Sequence, residues 1–406
     1  MGNPSDCPSE FHLRHDKPGT STRSLIDTGS MSKQVYDDFM YSSQYVQFFL
    51  VILGILANVC NITVFARKRM RSATSTILTF LSCSELGVAI VEVIVMSCTA
   101  ALGKRTYTSH CFWTLFQWTR AYLNIVFQRC SFFFNTLVAT ERFIAVRFPF
   151  RAKQIVRRMH PVVLCAAVTC IITGMHIFNP LKMQVLPVHT GRGIIYITGH
   201  SQLYTNDPGT FDVLSIVTKI TFSYIPLFGG LVMNILMVTV LWNHRIRMAL
   251  MWGNLNPQQR NESRQVQSTV TILISTFLFI LLPLPSTATT FIERANPEYG
   301  EQKKEHYLFR VIVLCSGVLY LLSMSMDFLV YMILSRAFRQ TFIFWCRSLL
   351  CHLRRATVGD GTLVTESVVM SKSVSKRVEA SVSVLGFPVE DVNIVMDSLI
   401  IPDGYY

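Results

Sequence analysis

Six ionisable side chains fall inside long apolar stretches of this sequence, where no water is available to solvate a charge. They are Glu85, Glu92, Arg120, Arg129, Lys219 and Asp327. An ionisable group inside a membrane segment is energetically expensive, so it indicates a site for a ligand or an ion by default. Three of the six are acids and three are bases, which allows mutual pairing. Arg120 lies only eight residues into its stretch and can alternatively extend its side chain to the membrane surface.

A further charged pair, Glu141–Arg142, lies where the third apolar stretch meets a basic loop. Phe143 follows it directly, and Pro149 follows seven residues after the arginine. An arginine at this place is not expected as a lipid-facing residue, so the pair indicates a signal-transducing protein. A simple interfacial ion pair is the alternative. Because no paired carboxylates, metal ligands or nucleophile arrangement occurs outside the apolar stretches, we predict that the chain is not an enzyme.

Seven apolar stretches must position these residues. Half of the 406 residues are hydrophobic and 15% are charged, against about 25% charged residues in soluble proteins. A run of about 20 apolar residues crosses the hydrocarbon core as a helix. The stretches are Ser43–Ala66, Ser75–Cys98, Phe112–Val146, Pro161–Leu181, Thr210–Trp242, Val266–Ile292 and Tyr307–Leu334. The sequence therefore predicts an all-α membrane protein, a seven-transmembrane helix bundle over residues 43–334.

The distribution of basic residues predicts the orientation of the bundle. The segments after the first, third and fifth stretches carry four or five Lys and Arg residues each, and five Arg residues follow the seventh stretch within residues 335–355. The alternating segments carry fewer or balance them with Glu. Basic loops stay on the cytoplasmic side. We predict a plasma-membrane protein with an extracellular N-terminal tail (residues 1–42) and a cytoplasmic C-terminus. The net charge of +13 is scattered over four loops, so it favours the anionic inner leaflet and not nucleic acid.

The order and spacing of these residues resemble the rhodopsin-like (class A) G-protein-coupled receptors over about 300 residues, Ser43 to Phe342. Glu141-Arg142-Phe143 is similar to the family's Asp-Arg-Tyr, and Asp327 to Tyr331 is similar to Asn-Pro-x-x-Tyr. The landmarks are Asn58, Glu85, Glu141, Arg142, Phe143, Pro149, Pro226, Phe277, Pro283, Asp327 and Tyr331. The resemblance implies a divergent invertebrate member of the peptide or chemosensory type. In that family the arginine is held by its neighbouring acid until activation, and Pro226, Phe277 and Pro283 would repack.

Two carboxyl groups would meet in the middle of the bundle if the resemblance holds. Asn58, Glu85, Ser131 and Asp327 then converge on what is a sodium and water pocket in relatives. Because two adjacent carboxylates repel, one is expected to be protonated or the two to share a cation. The alternative is two acids hydrogen-bonded to water. No other cofactor is expected.

The resemblance places a ligand pocket in the outer half of the bundle. Its candidate residues are Glu92, Arg120, Asn124, Phe127, Gln128, Lys219, Phe222, Leu281 and Leu284. Asn124 stands where amine receptors have an Asp, which makes a monoamine ligand unlikely, and Leu321 stands where photopigments have the retinal Lys. The basic groups suit a carboxylate, another acceptor-rich ligand or the polar end of a peptide, although Glu92 can alternatively neutralise Arg129. Ile194–Thr198 between two glycines predicts one strand of a lid hairpin.

The cysteines depart from the family pattern. Cys111 lies 31 residues before Arg142, and no Cys occurs between residues 171 and 314, so the family's usual disulfide to the second outer loop cannot form. Cys111 can pair with Cys98 or Cys7, or stay free. Cys346 and Cys351 follow the last stretch in a setting that suits palmitoylation, with buried thiols as the alternative.

We predict an amphipathic juxtamembrane helix over residues 335–351 that lies on the membrane lipid of the inner leaflet, and Phe338 and Phe342 suit such a helix. A cytoplasmic tail rich in Ser and Thr follows at residues 352–406, where phosphorylation would create a site for an arrestin-like protein. The function predicted from the sequence is a receptor that couples an extracellular ligand, a neuropeptide first and a small chemosensory molecule second, to heterotrimeric G proteins. A seven-span channel or transporter is the rival from another class.

Overall fold

The computed structural model of the chain describes residues 30–70, 72–102, 110–148, 160–190, 193–250, 257–300 and 303–357. Long helices dominate these ranges, and they form the predicted bundle. We refer to them as the first to seventh helix. In chain order they are Lys33–Phe65; Ala73–Leu102; His110–Trp118 with Thr119–Leu123 and Asn124–Arg147; Pro161–Met175 with Phe178–Leu181; Pro208–Lys219 with Ile220–Tyr224 and Ile225–Leu250; Pro257–Leu281 with Leu284–Ala295; and His306–Leu334.

All of these helices except the third are long and apolar enough to cross a membrane by length and composition. The third contains Arg120, Arg129 and the Glu141–Arg142 pair, which lower its hydropathy. The first helix begins ten residues before the predicted Ser43, because Ser32 caps it by accepting a hydrogen bond from the Val35 amide. Polar residues extend the sixth helix in the same way, back to Pro257. Apolar patterning alone could not find these polar extensions.

Three irregularities in the helices lie beside one another in the predicted outer half. The third and fifth helices each contain one π-helical turn, Thr119–Leu123 and Ile220–Tyr224. The sixth helix breaks at Leu282–Pro283, where proline has no N–H to donate to the preceding turn. A π-turn inserts a residue and rotates the side chains that follow, and such turns are frequent at functional sites.

Apolar residues from the first, second, third, fifth, sixth and seventh helices build the centre of the bundle. Three aromatic rings lie at its heart: Phe132 is 5.7 Å from Phe279 and 6.1 Å from Tyr320, between ring centroids. Close helix approach on one side depends on Gly87 in the second helix. A Cβ atom at that position would lie 2.7 to 2.9 Å from three ring atoms of Phe127 on the third helix.

A two-stranded hairpin joins the fourth and fifth helices, as predicted. Strands β1 (Met183–Thr190) and β2 (Gly193–His200) pair antiparallel from Met183 opposite His200 to Thr190 opposite Gly193. Lys182, just before β1, anchors the base of this hairpin. Its Nζ lies 3.5 Å from Asp212 Oδ1 on the fifth helix and 5.2 Å from the ring centre of Tyr204. We call this hairpin the lid.

The segment before the first helix attaches to the start of the seventh helix. The Ser30 amide and hydroxyl both donate to the Glu305 carboxylate, and the hydroxyl bond, followed by the amide bond, lowers the pKa of that carboxyl group. The rings of Tyr36 and Tyr307 pack 5.4 Å apart nearby.

A last helix, Arg336–Thr357, follows the bundle and extends six residues past the predicted end at residue 351. The residues up to Thr341 belong to one compact unit and those from Phe342 to a second. Within the first unit, Arg339 donates to the carbonyls of Met332 and Ile333 at the end of the seventh helix, at 3.0 and 2.9 Å. Such bonds satisfy carbonyls that a helix end otherwise leaves unpaired. The predicted tail lies, from residue 358 onward, outside the described residues.

We expect Gly87→Ala to destabilise the bundle. The added methyl group must displace the Phe127 ring, and overpacking of this kind costs roughly 1 to 3 kcal/mol. Gly174→Ala is the matched control, because no heavy atom lies within 4 Å of the added methyl group in the fourth helix. Thermal unfolding of the purified full-length chain in detergent measures both. Equal unfolding temperatures for the two variants would contradict the close approach.

Candidate functional site

The Glu141–Arg142 pair lies at the end of the third helix, against the start of the second helix. Arg142 Nε is 3.1 Å from Glu141 Oε2, and both side chains are largely shielded from solvent. Thr74 is buried between them: its hydroxyl donates to Glu141 Oε2 at 2.8 Å and accepts from Arg142 Nη2. The three residues form a closed contact that we call the Thr74 lock. The sequence analysis identified the pair but not Thr74. The only signal for Thr74 in the sequence is its place between Ser72 and Ser75 at the start of a helix.

The other residues predicted to act with this pair are placed differently. Phe143 is half-buried on the third helix, and Pro149 lies outside the described residues. Tyr331 is buried at the end of the seventh helix, where its ring packs 5.4 Å from Phe65 and 5.6 Å from Phe338. These rings connect the first and seventh helices to the beginning of the last helix.

The four residues of the predicted polar pocket are all buried. Glu85 and Asn58 have no exposed surface, and Asp327 is 4% exposed. Neither Glu85 oxygen, nor the Asn58 side-chain oxygen, has a hydrogen-bond partner among the described residues. The carboxyl groups of Glu85 and Asp327 are near enough to repel when both are charged. Ser131 donates instead to the Phe127 carbonyl of its own helix, at 3.2 Å.

Ser275 on the sixth helix completes this pocket, and the sequence did not predict it. Its hydroxyl donates to Asp327 Oδ1 at 2.5 Å and lies 3.4 Å from the Tyr331 hydroxyl. A signal was present, because Thr271, Ser275 and Phe279 recur every four residues and all three are buried. Ser275 thereby ties the sixth helix to the seventh and links the pocket to Tyr331.

A second set of polar contacts holds the third, fifth and sixth helices together. Thr276 donates to Asn234 Oδ1 at 2.8 Å, and the Asn135 amide reaches the Thr276 carbonyl at 3.5 Å. Thr136 donates to the Pro226 carbonyl at 2.6 Å, and the role of Pro226 in activation stays a prediction. Asn234 forms a direct link between the fifth and sixth helices.

The prediction for Phe277 is wrong. Its side chain is 44% exposed on the outside of the bundle, whereas Phe279 is 1% exposed within the central aromatic group. The error came from the choice of Pro283 as the reference proline, because the same six-residue spacing counted from Pro285 selects Phe279. Pro283 itself lines the cavity described next.

A cavity of about 450 Å³ opens in the predicted outer half of the bundle. Its volume falls in the range of about 300–1,000 Å³ that is typical of small-molecule sites. Five of the nine predicted ligand residues line it: Glu92, Arg120, Asn124, Gln128 and Lys219. The lining residues that sequence reasoning did not select include Gln47, Arg129, Ser223, Tyr224, Ser286, Thr287, Thr290 and Tyr320.

Four predicted ligand residues do not line this cavity. Leu281 is 45% exposed on the outside of the bundle, because it shares the outward face with Phe277. Phe222 is buried against His176, with ring centroids 5.5 Å apart. Phe127 and Leu284 pack against the central apolar cluster. For Phe222, the π-turn of the fifth helix rotates the side chains, so that Ser223 and Tyr224 face the cavity instead.

The charged groups of the cavity do not pair as expected. Glu92 accepts a hydrogen bond from the Asn124 amide at 2.7 Å and is attracted to Arg120. Arg129 forms no ion pair with Glu92 among the described residues. Its guanidinium lies over the Phe132 ring instead, 6.0 Å from the centroid. The alternative in which Glu92 neutralises Arg129 is therefore wrong.

The cavity and the polar pocket share a wall. Phe132, Leu227, Tyr320 and Leu321 line the cavity and also belong to the central apolar cluster. Tyr320 experiences the charges of both Arg129 and Glu85, so it lies between the two sites. A group that enters the cavity contacts the same side chains that pack around the polar pocket.

The cysteine predictions remain open. Cys98 has a free thiol among the described residues, and the side chain of Cys111 lies outside them. Their disulfide stays a prediction. Cys346 is half-buried and Cys351 is exposed on the last helix, and their palmitoylation also stays a prediction.

Known proteins show the same organisation. The family model described as "Serpentine type 7TM GPCR chemoreceptor Srw" matches residues 45–347, which is 303 of the 406 residues. The "G-protein coupled receptor dmsr-1" of Caenorhabditis elegans is 28% identical over 116 residues, which cover 28% of this chain and 23% of that protein. The chain thus matches less than a quarter of the length of this curated relative. The matched residues of this chain include the Thr74 lock, the polar pocket and the cavity.

Proposed function

The chain belongs to the serpentine-type 7TM GPCR chemoreceptor family Srw, and from this premise we propose that it is a plasma-membrane receptor. It binds an extracellular ligand in the outer cavity and activates a heterotrimeric G protein at the opposite end of the bundle. One observation carries the proposal: the cavity shares its wall with the polar pocket, and Ser275 and Tyr331 extend that pocket toward the end of the bundle that holds the Thr74 lock.

Activation is a shift between two packings of the same helices. Besides the packing of Phe279 in the central aromatic group, polar bonds join the sixth helix to its neighbours, and they include Ser275 to Asp327 and Thr276 to Asn234. A ligand that presses on the shared wall changes the relative free energy of the packing in which these bonds are made. Release of Arg142 from Glu141 and Thr74 then exposes it to the G protein.

A neuropeptide is our first choice of ligand. The paired strands of the lid support it, since an extended peptide backbone can lie along a hairpin of this kind. A small chemosensory molecule is the second choice, and the chemoreceptor description of the matched family favours it. The cavity volume of about 450 Å³ suits a small molecule or one end of a peptide.

The topology of the proposal follows from the basic loops. The N-terminal tail is extracellular and the C-terminus cytoplasmic. The last helix lies on the inner leaflet with Cys346 and Cys351 as palmitoylation sites, and an arrestin-like protein binds the phosphorylated tail at residues 352–406. The domain boundaries remain those predicted from the sequence, with the juxtamembrane helix extended to Thr357.

The buried oxygens of the polar pocket fit a sodium ion. Glu85 supplies two unpartnered oxygens and Asn58 a third among the described residues, and hard cations prefer oxygen ligands of this kind. We propose that Glu85, Asn58 and Asp327 hold the ion. Its positive charge would offset the repulsion between the two carboxylates.

We expect sodium to raise the unfolding temperature of the purified chain relative to choline chloride at equal ionic strength. A ligand at ten times its Kd stabilises a protein by about 1.4 kcal/mol. Glu85→Gln removes a ligand charge and should abolish the difference between the two salts. Glu92→Gln, which changes the other acid of the second helix, should retain it. Identical unfolding temperatures of the unmodified chain in both salts would sink this part of the proposal.

Arg142→Ala is expected to abolish signalling while it leaves surface expression and ligand binding largely intact, because Arg142 takes part in the Thr74 lock and does not line the outer cavity. A second-messenger assay in cells challenged with pooled peptides measures the effect, and cell-surface labelling measures expression. Arg147→Ala, one turn further along the same helix and exposed, is the matched control and should signal normally. Normal signalling from Arg142→Ala would refute the assignment.

Thr74→Val is expected to raise basal signalling without any ligand. It keeps the shape of the side chain and removes both polar contacts of the lock. A buried hydrogen bond contributes about 0.5–1.5 kcal/mol, so the active population should rise roughly two- to tenfold. Thr76→Val is the control, because its hydroxyl bonds only to its own helix at Ser72. Basal signalling equal to that of the Thr76 variant would show that the hydroxyl of Thr74 does not restrain Arg142.

A further inference from the structure

Three polar groups with no partner line the same cavity. Arg129 Nε, the Ser223 hydroxyl and the Tyr320 hydroxyl are each shielded from solvent and lack a hydrogen-bond partner among the described residues. They come from three helices, the third, the fifth and the seventh. Buried polar atoms are rarely left unsatisfied in native proteins, so three of them around one cavity indicate a missing occupant.

The surroundings of each group make this lack of a partner costly. Tyr320 is 7% exposed in the central aromatic group, and Ser223 is 8% exposed on the π-turn of the fifth helix. The guanidinium of Arg129 lies over the Phe132 ring and also interacts with Tyr320 and Tyr224, but it forms no ion pair with an acid among the described residues. A buried charge without a counter-ion is unfavourable.

The acid of the cavity does not supply the missing partner. Glu92 accepts from Asn124 at 2.7 Å and is attracted to Arg120, so its charge is already used. The lining residues then comprise three bases, Arg120, Arg129 and Lys219, against this one acid. Bases therefore outnumber acids among the lining residues, and Arg129 has no ion pair with an acid among the described residues.

We propose that the natural ligand carries a carboxylate, which binds Arg129 and accepts hydrogen bonds from the hydroxyls of Tyr320 and Ser223. A guanidinium can only donate, and a carboxylate only accepts, with sites for about four donors. Arginine and carboxylate also match in a two-bond planar geometry. The inference rests on the proposed function only in that it takes this cavity as the ligand site.

The position of the carboxylate explains how a ligand would reach the rest of the bundle. Tyr320 touches Phe132 and Phe279 in the aromatic group, and Glu85 lies on its other side. A carboxylate bound to Arg129 and Tyr320 therefore acts on the sixth helix through Phe279. A neutral ligand lacks the negative charge that offsets Arg129, so it gains less binding free energy at the same position.

Two measurements on the purified full-length chain test the site without signalling. In the ligand-free chain, Arg129→Gln should raise the unfolding temperature, because it removes an uncompensated charge. With millimolar benzoate, phenylacetate or hexanoate, the unmodified chain should be stabilised, and with benzamide, phenylacetamide or hexanamide it should not. Arg129→Gln should weaken the acid affinity by about tenfold to a hundredfold, as expected for the loss of a charged hydrogen bond.

Control variants separate the site from general charge effects. Arg310→Gln removes an arginine from the start of the seventh helix outside the cavity and should keep the response to the acids. Tyr320→Phe and Ser223→Ala should each weaken acid affinity by about two- to tenfold, the value of one neutral hydrogen bond. Equal stabilisation by acids and amides, no stabilisation by the acids, or a lower unfolding temperature of ligand-free Arg129→Gln would each overturn the proposal.

Signalling assays then identify the source of the carboxylate. A response to the small acids assigns it to a metabolite-sized ligand, and a response to free-acid peptide pools alone assigns it to a peptide C-terminus. A response only to the amidated twins of those peptides contradicts the carboxylate. Acid binding to the purified chain without any second-messenger response would count against G-protein coupling while it supports the site.

Discussion

Hydrocarbon offers no hydrogen bonds, so each polar group inside the bundle must find its partner on a neighbouring helix or on a bound molecule. This constraint organises the structure from one end to the other. At one end Thr74 satisfies both members of the Glu141–Arg142 pair. In the middle Ser275 donates to Asp327, while neither Glu85 oxygen has a partner among the described residues. In the cavity the same is true of Arg129 Nε and of the Ser223 and Tyr320 hydroxyls. The proposed cation and the proposed carboxylate are the partners that this constraint calls for.

The contacts that join the helices also differ in how easily they open. The central aromatic group depends on apolar packing, which resists separation in proportion to its area. The sixth helix takes part in this packing through Phe279 and also meets the third, fifth and seventh helices through single polar bonds that involve Ser275, Thr276 and Asn135. Each such bond has an alternative partner in water once the inner end of the bundle opens. These polar bonds can therefore be exchanged at a smaller cost in free energy than the apolar packing around Phe279.

The sequence predicted the fold and the charged sites because both depend on composition and on spacing along single helices. The seven helices, the lid strands, the Glu141–Arg142 pair and the buried Glu85 and Asp327 were accessible in this way. Thr74 and Ser275 were missed because nothing in a single sequence says which hydroxyl of one helix meets an acid of another. Phe277, Leu281 and Phe222 were misplaced because two prolines offered competing reference points and a π-turn shifted the register of the fifth helix. Once a helix is irregular, residue spacing no longer predicts the direction in which each side chain points around the helix axis.

The attachment of the lid has a consequence for binding kinetics. Residues 183–200 contain no cysteine, so the hairpin is held only by non-covalent contacts such as that of Lys182 with Asp212 and Tyr204. A loop anchored in this way opens and closes on the microsecond to millisecond timescale that is typical of lids, whereas a disulfide would fix its base. Movement of the hairpin therefore requires only that such non-covalent contacts separate. That attachment is equally strong in oxidising and reducing surroundings, so the kinetics of the lid are independent of thiol chemistry.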